Sequence, residues 1–201
     1  MKLFIIRHAE TTANSAKVIL GGKEQGELSQ RGKRQALGLA RRLGQEKITL
    51  ICCSPLRRAG QTAAEIAKGR DCEVRPCPEL REIEAGELAG MSHEQAEEQF
   101  PDAFNGAFAD PQKKLPGGES MEDVGARAIP FVEKLISSNS SECIVLVGHN
   151  VVNRVILASL LGIPLQKARA IKMKNACIAL VDAKPGFAQL YSLDNSLHGI
   201  R

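Results

Sequence analysis

Apolar residues gather into five short runs, Leu3–Ile6, Thr49–Cys53, Cys143–Val147, Cys177–Val181 and Ala188–Tyr191, each bounded by polar or turn-forming positions. Uninterrupted runs of this length are what strands covered on both faces present. Between most of them, apolar positions recur at helical spacing. Ser29 is a good N-cap for a helix in which Ala36, Leu39, Ala40 and Leu43 fall at i, i+3, i+4 and i+7. Ser54-Pro55 predicts a second helix, with serine capping and proline in the first turn, that buries Leu56, Ala59, Ala63 and Ile66 and ends at Gly69. A third runs from about Glu119 to Ser137 over Met121, Val124, Ala128, Phe131, Val132 and Leu135, and Pro130 is expected to kink or break it. A fourth, almost wholly apolar from Val151 to Leu161, follows Val147-Gly148-His149 and is closed by Gly162 and Pro164.

This alternation predicts an α/β fold, a three-layer αβα sandwich with a mostly parallel central sheet and helices on both faces. No repeat, low-complexity tract or linker interrupts it, so residues 1–201 read as a single domain. Residues of about 85–118, rich in Glu, Gly, Pro and Phe, fall outside the pattern. They are expected to form a lid-like insertion over the active-site edge of the sheet, with Phe100, Phe104 and Phe108 as a helical stripe that packs it down.

Composition narrows the setting. Cys52, Cys53, Cys72, Cys77, Cys143 and Cys177 form no Cys-x-x-Cys pair and no cluster with zinc spacing, which reads as reduced thiols in a cytoplasmic protein. The first apolar stretch is too short for a signal peptide, and no segment approaches the ~20 apolar residues of a membrane span. The formal charge is +4, its basic residues are scattered in pairs such as Arg41-Arg42 and Lys113-Lys114, and there is no Trp and one Tyr. That balance suits a small anionic ligand rather than nucleic acid or a membrane. A homodimer through the edge of the C-terminal strands is compatible with the pattern.

The chemistry lies at the ends of the runs. Ile6-Arg7-His8, Cys53-Ser54-Pro55-Leu56-Arg57-Arg58, Glu79-Leu80-Arg81-Glu82 and Val147-Gly148-His149-Asn150 each deliver a charged or nitrogen-bearing residue after apolar chain. If the strands are parallel, these ends share one crevice. Arginine forks bind phosphoryl oxygens and a neutral imidazole attacks phosphorus. A surplus of positive donors fits a phosphoryl group better than a lone carboxylate. No Gly-x-x-x-x-Gly-Lys-[Ser/Thr] loop is present and no carboxylate cluster stands out for magnesium, so the expected chemistry uses neither metal nor organic cofactor. Taken alone, His8 or His149 at a strand end is more often a structural histidine, and Glu82 among Glu79, Glu84 and Glu87 reads as a solvated acidic turn. Arg57 and Arg58 lie about 100° apart on a helix, so only one can face the crevice. His93 and His198 have no such context and are expected at the surface.

At these positions the chain resembles the histidine phosphatase superfamily, which includes the cofactor-dependent phosphoglycerate mutases. The family's Arg-His-Gly-x-Thr-x-x-Asn signature is matched by Arg7, His8, Thr11 and Asn14, with Ala9 in place of glycine. The resemblance continues through Leu28-Ser29-x-x-Gly32-x-x-Gln35-Ala36, Ser54-Pro55-Leu56-x-Arg58-Ala59-x-Gln61-Thr62-Ala63, Leu80-Arg81-Glu82-x-x-x-Gly86, Pro116-Gly117-Gly118-Glu119-Ser120 and Val147-Gly148-His149. Asn150 stands where the family commonly has glycine. The resemblance implies that His8 becomes a transient phosphohistidine and that Arg7, Arg58 and His149 hold the phosphoryl oxygens. It implies further that Asn14 helps place them and that Glu82 protonates the leaving oxygen.

The reading that follows is a metal-independent phosphomonoester hydrolase. A phosphoglycerate mutase is the first alternative, because the same phosphohistidine can pass its group to a second hydroxyl. A non-enzymatic sugar-phosphate sensor is a third, disfavoured by the intact His8 and Glu82. Phosphorylated sugars, phosphoglycerate derivatives, phosphoserine, cobalamin-loop phosphates and protein phosphohistidine are all candidate substrates, and the sequence chooses none of them.

Overall fold

The computed structural model describes all residues except 24, 25, 107, 108, 140, 141, 200 and 201, and leaves the side chains of residues 104, 105, 198 and 199 undescribed. Its strands are β1 (Lys2–Arg7), β2 (Leu50–Cys53), β3 (Glu73–Pro76), β4 (Cys143–Gly148), β5 (Ile178–Lys184) and β6 (Phe187–Asp194). They form one sheet in the order β3-β2-β4-β1-β5-β6. The first four in that order are parallel, and β5 runs antiparallel to both β1 and β6. Five of these strands coincide with the apolar runs. The edge strand β3 does not, because Glu73-Val74-Arg75-Pro76 is exposed throughout and has no apolar period to betray it. Its charges and its proline suit an unpaired sheet edge.

The helices are α1 (Thr12–Ser15), α2 (Gln30–Arg42), α3 (Arg57–Ala67), α4 (His93–Gln99), α5 (Pro101–Gly106), α6 (Met121–Ser138) and α7 (Asn150–Leu160). Because side chains alternate along a strand, each strand feeds two cores. Leu3, Ile5, Cys52, Ile144 and Leu146 pack with Val124, Ala128 and Val132 of α6 and with Val152, Val155 and Ile156 of α7. On the opposite face, Phe4, Ile6, Ile51, Cys53, Val145 and Val147 pack with Leu39 of α2, with Leu43 just past its end and with Ala59, Ala63 and Ile66 of α3. The expected three layers follow from this division. Among the described residues no helix is long and apolar enough to cross a membrane.

Local signals held in some places and failed in others. Ser29 caps α2, its Oγ accepting from the Gly32 amide at 3.0 Å. Ser54 does not cap α3; the helix begins later, after Leu56, with no side-chain cap. The Ser54 hydroxyl instead accepts from the Leu56 amide at 3.3 Å and closes the turn that precedes the helix. Helix α6 starts two residues after Glu119, behind a capping box of Ser120 and Asp123, and continues unbroken through Pro130. Pro130 and Ala126 are both exposed, so the carbonyl that loses its partner to proline can turn to water.

In the insertion the expected phenylalanine stripe is interrupted. Proline disfavours helical geometry at the residue before it, so Pro101 stops α4 at Gln99, and Phe100 takes φ −133 and ψ 54 before α5 resumes. Phe100 still packs against the core; the Phe104 side chain and Phe108 lie outside the described residues, as does the side chain of His198. The segment is tied to the chain that follows β1 and α1. Ile19 donates its amide to the Met91 carbonyl at 2.9 Å, and Gly90 donates to the Ile19 carbonyl at 2.8 Å.

One contact controls how closely α2 approaches the loop after β1. A Cβ on Gly32 would lie 1.9 Å from the Glu10 carbonyl oxygen, and that loop carries His8. Gly32→Ala is expected to lower unfolding free energy by roughly 2–3 kcal/mol, measured by urea denaturation. Wild-type stability in the variant would show that α2 can retreat without cost.

Candidate active site

The parallel register of β1 and β4 pairs Arg7 with Gly148. The next residue of each strand, His8 and His149, therefore leaves the carboxyl edge of the sheet beside the other. The His8 amide donates to the Gly148 carbonyl at 3.0 Å, and the two imidazole centroids are 5.0 Å apart with the rings tilted by 56°. Both rings are buried. Gly148 must lack a side chain, since a Cβ there would come within 2.2 Å of Asn153 Oδ1 on α7.

Hydrogen bonds give the two rings opposite tautomers. His8 Nδ1 lies 2.7 Å from the Ala9 carbonyl oxygen; a carbonyl only accepts, so Nδ1 carries the proton and Nε2 keeps a free lone pair. His149 Nδ1 lies 3.2 Å from Arg58 Nε, and a guanidinium only donates, so this ring carries its proton on Nε2. His149 Nε2 is buried and has no partner among the described residues. One ring is thus set as a nucleophile and the other as a donor. Burial, followed by the charges of Arg58 and Arg7, holds His8 well below the ordinary imidazole range. His149 is held low by burial, then by Arg58, by His8 and by the more distant arginines. Both are neutral at physiological pH.

Arg7 donates from Nη1 to the Met173 carbonyl at 2.8 Å, while its Nε is buried without a partner among the described residues. Desolvation lowers Arg7 to about 10, with Glu82 opposing that shift and Arg154 and Arg58 adding to it. It stays charged at neutral pH. Arg58 is fully buried and spends Nη2 on the Gly21 carbonyl at 2.9 Å. Its neighbour Arg57 is exposed and pairs with Glu27 at 2.6 Å, as the helical angle between the two requires. The Asn14 side-chain oxygen accepts from the Thr11 amide at 3.1 Å and from Asn175 Nδ2 at 3.0 Å. With Oδ1 so occupied, the NH₂ end of Asn14 is the part left to donate.

Glu82 does not sit in a solvated acidic turn. Its Oε2 accepts from the Asn150 amide at 2.9 Å, and its Oε1 accepts from the amides of Val151 at 3.0 Å and Ile83 at 3.1 Å. The carboxylate caps α7, whose first residue directly follows His149, so acid and second histidine are placed by the same turn of chain. Arg127 of α6 fixes the loop from behind. It donates from Nη1 to the carbonyls of Glu79 at 2.7 Å and Arg81 at 2.9 Å and pairs with Glu119 at 3.1 Å. Glu119 in turn accepts from the Glu84 amide at 2.9 Å. The Pro116–Ser120 motif therefore anchors the Glu82 loop.

The remaining motif residues also brace the site. Thr62 Oγ1 accepts from the Ala9 amide at 3.1 Å, Gln35 from the Glu10 amide at 2.9 Å, and Gln61 from the Leu28 amide at 3.0 Å. Ala9, where the resemblance leads one to expect glycine, is buried in a small apolar cluster with Leu28 and Ala36. The structure places His8, His149, Arg7, Arg58, Asn14 and Glu82 near one another, and each is a residue that the sequence singles out. The sequence reading missed Arg127 and Arg154, which look like ordinary polar positions on apolar helices, and Asn175. Asn175 donates to the His8 carbonyl at 3.2 Å as well as to Asn14, and only the fold brings the loop before β5 to that place.

Comparisons with known proteins identify relatives of this chain. Phosphoserine phosphatase 1 of Hydrogenobacter thermophilus is 34% identical over 186 residues, covering 90% of this chain and 86% of that protein. A metal-independent phosphoserine phosphatase of Arabidopsis thaliana is 33% identical over 184 residues, covering 90% and 75%. Among solved structures, a mycobacterial glucosyl-3-phosphoglycerate phosphatase in complex with VO3 superposes with a TM-score of 0.88 at 31% identity, covering 97% of this chain and 99% of that one. The sequence profile of the histidine phosphatase superfamily, branch 1, matches residues 3–196. With that match over nearly its whole length, the chain belongs to the histidine phosphatase superfamily.

Proposed function

We propose that this protein is a metal-independent phosphatase that hydrolyses small phosphomonoesters through a phosphohistidine on His8. The observation that carries the reading is the pair of buried, neutral imidazoles with opposite tautomers. His8 Nε2 attacks phosphorus, a P–N bond forms and the ester P–O bond breaks. As the ring gains positive charge, its Nδ1–H bond to the Ala9 carbonyl strengthens, which favours the transition state. Arg7, Arg58, the Nε2–H of His149 and the Asn14 amide hold the three equatorial oxygens. Glu82 gives a proton to the leaving oxygen, then takes one from the water that cleaves the P–N bond and releases phosphate. To carry that proton it gives up one of the amide bonds that hold it on α7.

The positive charge needed at phosphorus comes from arginine. Among the described residues no group of three His, Cys, Asp or Glu side chains is placed to hold a metal ion. The names of the two relatives, phosphoserine phosphatases, support hydrolysis as the outcome. The segment of about residues 85–118 we read as the cover of the site edge, and the six free thiols suit a cytoplasmic protein.

Three outcomes are expected. Phosphate release from p-nitrophenyl phosphate should persist in excess chelator and fall by at least about 1,000-fold in His8→Ala; loss on chelation, or survival in the variant, would overturn the mechanism. Conversion of 3-phosphoglycerate to 2-phosphoglycerate primed by the bisphosphate, with no phosphate accumulating, would identify a mutase instead.

Glu82→Gln should slow alkyl phosphates by roughly 10²–10⁴-fold, the usual value of a general acid, and aryl phosphates with good leaving groups far less. Equal losses on both classes in steady-state assays would leave Glu82 only its capping role.

His8 must be unprotonated to attack, and it is held below the ordinary imidazole range. The acid limb of kcat/KM should therefore lie below about pH 6.5, the free-imidazole value. In the same window the unfolded chain binds more protons than the native one at both histidines, so unfolding free energy should fall as pH drops below about 6.5. Urea denaturation between neutral and mildly acidic pH reads this directly, and stability that rises on acidification would contradict the buried neutral pair.

A further inference from the structure

One arginine beside the site has no role in the mechanism above. Arg154 lies one turn into α7, four residues after Asn150, and its Nε is buried without a hydrogen-bond partner among the described residues. Its charged neighbours are Glu82, Arg7 and Arg169. Glu82 does not satisfy it, because the carboxylate oxygens are directed to the amides of Ile83, Asn150, Val151 and Val152. Buried polar groups are rarely left unpaired. The Arg154 Nε, a donor with no acceptor beside it among the described residues, is what an anion-binding surface presents before its ligand arrives.

Glu82 marks the leaving-group side of the crevice, since it delivers a proton to the leaving oxygen. A guanidinium beside it is a planar fork of donors suited to a carboxylate. The transferring phosphoryl group already has Arg7, Arg58, His149 and Asn14. We propose that Arg154 forms a second anion subsite that selects phosphomonoesters carrying a carboxylate close to the ester oxygen. This rests on the phosphatase reading of the His8 site and adds the class of substrate.

The test compares two phosphonates that differ in a carboxylate, 3-phosphonopropanoate and propylphosphonate; the C–P bond of each resists hydrolysis. By titration calorimetry, wild-type protein should bind the carboxylated compound at least about 10-fold more tightly, the factor a hydrogen bond to a charged group supplies. Arg154→Gln should bring the ratio of dissociation constants near one, and Arg154→Lys should keep part of it. In parallel, the ratio of kcat/KM for 3-phosphoglycerate over glycerol 3-phosphate should fall by a similar factor in Arg154→Gln, carried by KM. Equal binding of the two phosphonates by the wild type overturns the subsite. So does a ratio unchanged in Arg154→Gln, which would make Arg154 a charge partner of Glu82. If Arg154→Gln does not fold, the wild-type ratio and Arg154→Lys decide. Preference for the carboxylated phosphonate in a protein that hydrolyses neither ester would uphold the subsite and defeat the phosphatase reading.

Discussion

The parallel pairing of β1 with β4 is the constraint on which the site depends. Because Arg7 stands opposite Gly148, His8 and His149 must emerge together, and a one-residue slip would send one of them to the other face of the sheet. Once adjacent and buried, both imidazoles are kept neutral, because a charged ring there would be desolvated beside Arg58 and Arg7. Neutral rings have distinct nitrogens, and the Ala9 carbonyl and the Arg58 guanidinium decide which nitrogen carries the proton. The free lone pair on His8 and the N–H donor on His149, the nucleophile and donor of the proposed mechanism, are therefore consequences of strand register plus two hydrogen bonds. The rest of the fold maintains the register from both sides, through α2 and α3 on one face and α6 and α7 on the other.

Such a site is an electrostatic debt within the native structure. Arg7 and Arg58 are held together in a poorly hydrated crevice, with the Glu82 carboxylate offsetting part of the charge at Arg7. Their donors are partly spent on the Met173 and Gly21 carbonyls, which satisfies hydrogen bonding but not charge. Burying like charges is unfavourable, and the unpartnered Nε of Arg7 and Nε2 of His149 add to that strain. A phosphoryl dianion relieves all of these at once. Binding and stability are thereby linked, since a ligand that pairs the arginines favours the native state over the unfolded one.

The sequence was most legible where burial makes a period. Both-face burial of β1, β2 and β4 writes unbroken apolar runs, and the one-sided packing of α2 and α3 writes i, i+3, i+4 stripes. It was mute where structure arises from pairing alone. The strand β3 is exposed and becomes a strand by aligning with β2, and Asn175 reaches His8 only because β5 returns beside β1. Turn chemistry misled at Ser54, where two competing uses of one hydroxyl, helix cap and local turn, share the same local sequence. Glu82 could not be told from its acidic neighbours by spacing, because what distinguishes it is the start of a helix nearly seventy residues later in the chain.

That last placement explains why so many cationic side chains converge. In many phosphate sites the helix that follows a strand offers its free amides to the anion. Here the amides of Asn150, Val151 and Val152 are taken by Glu82, so the substrate cannot use them. In the proposed mechanism, charge for the phosphoryl oxygens then comes from side chains, the work assigned to Arg7, Arg58, His149 and Asn14. In exchange, the acid is fixed to the same helix turn as His149, and its position does not wait on the substrate. A site that gave its helix terminus to phosphate would need another way to hold its proton donor; here the terminus goes to Glu82, and in the proposed mechanism the phosphate is met by arginine.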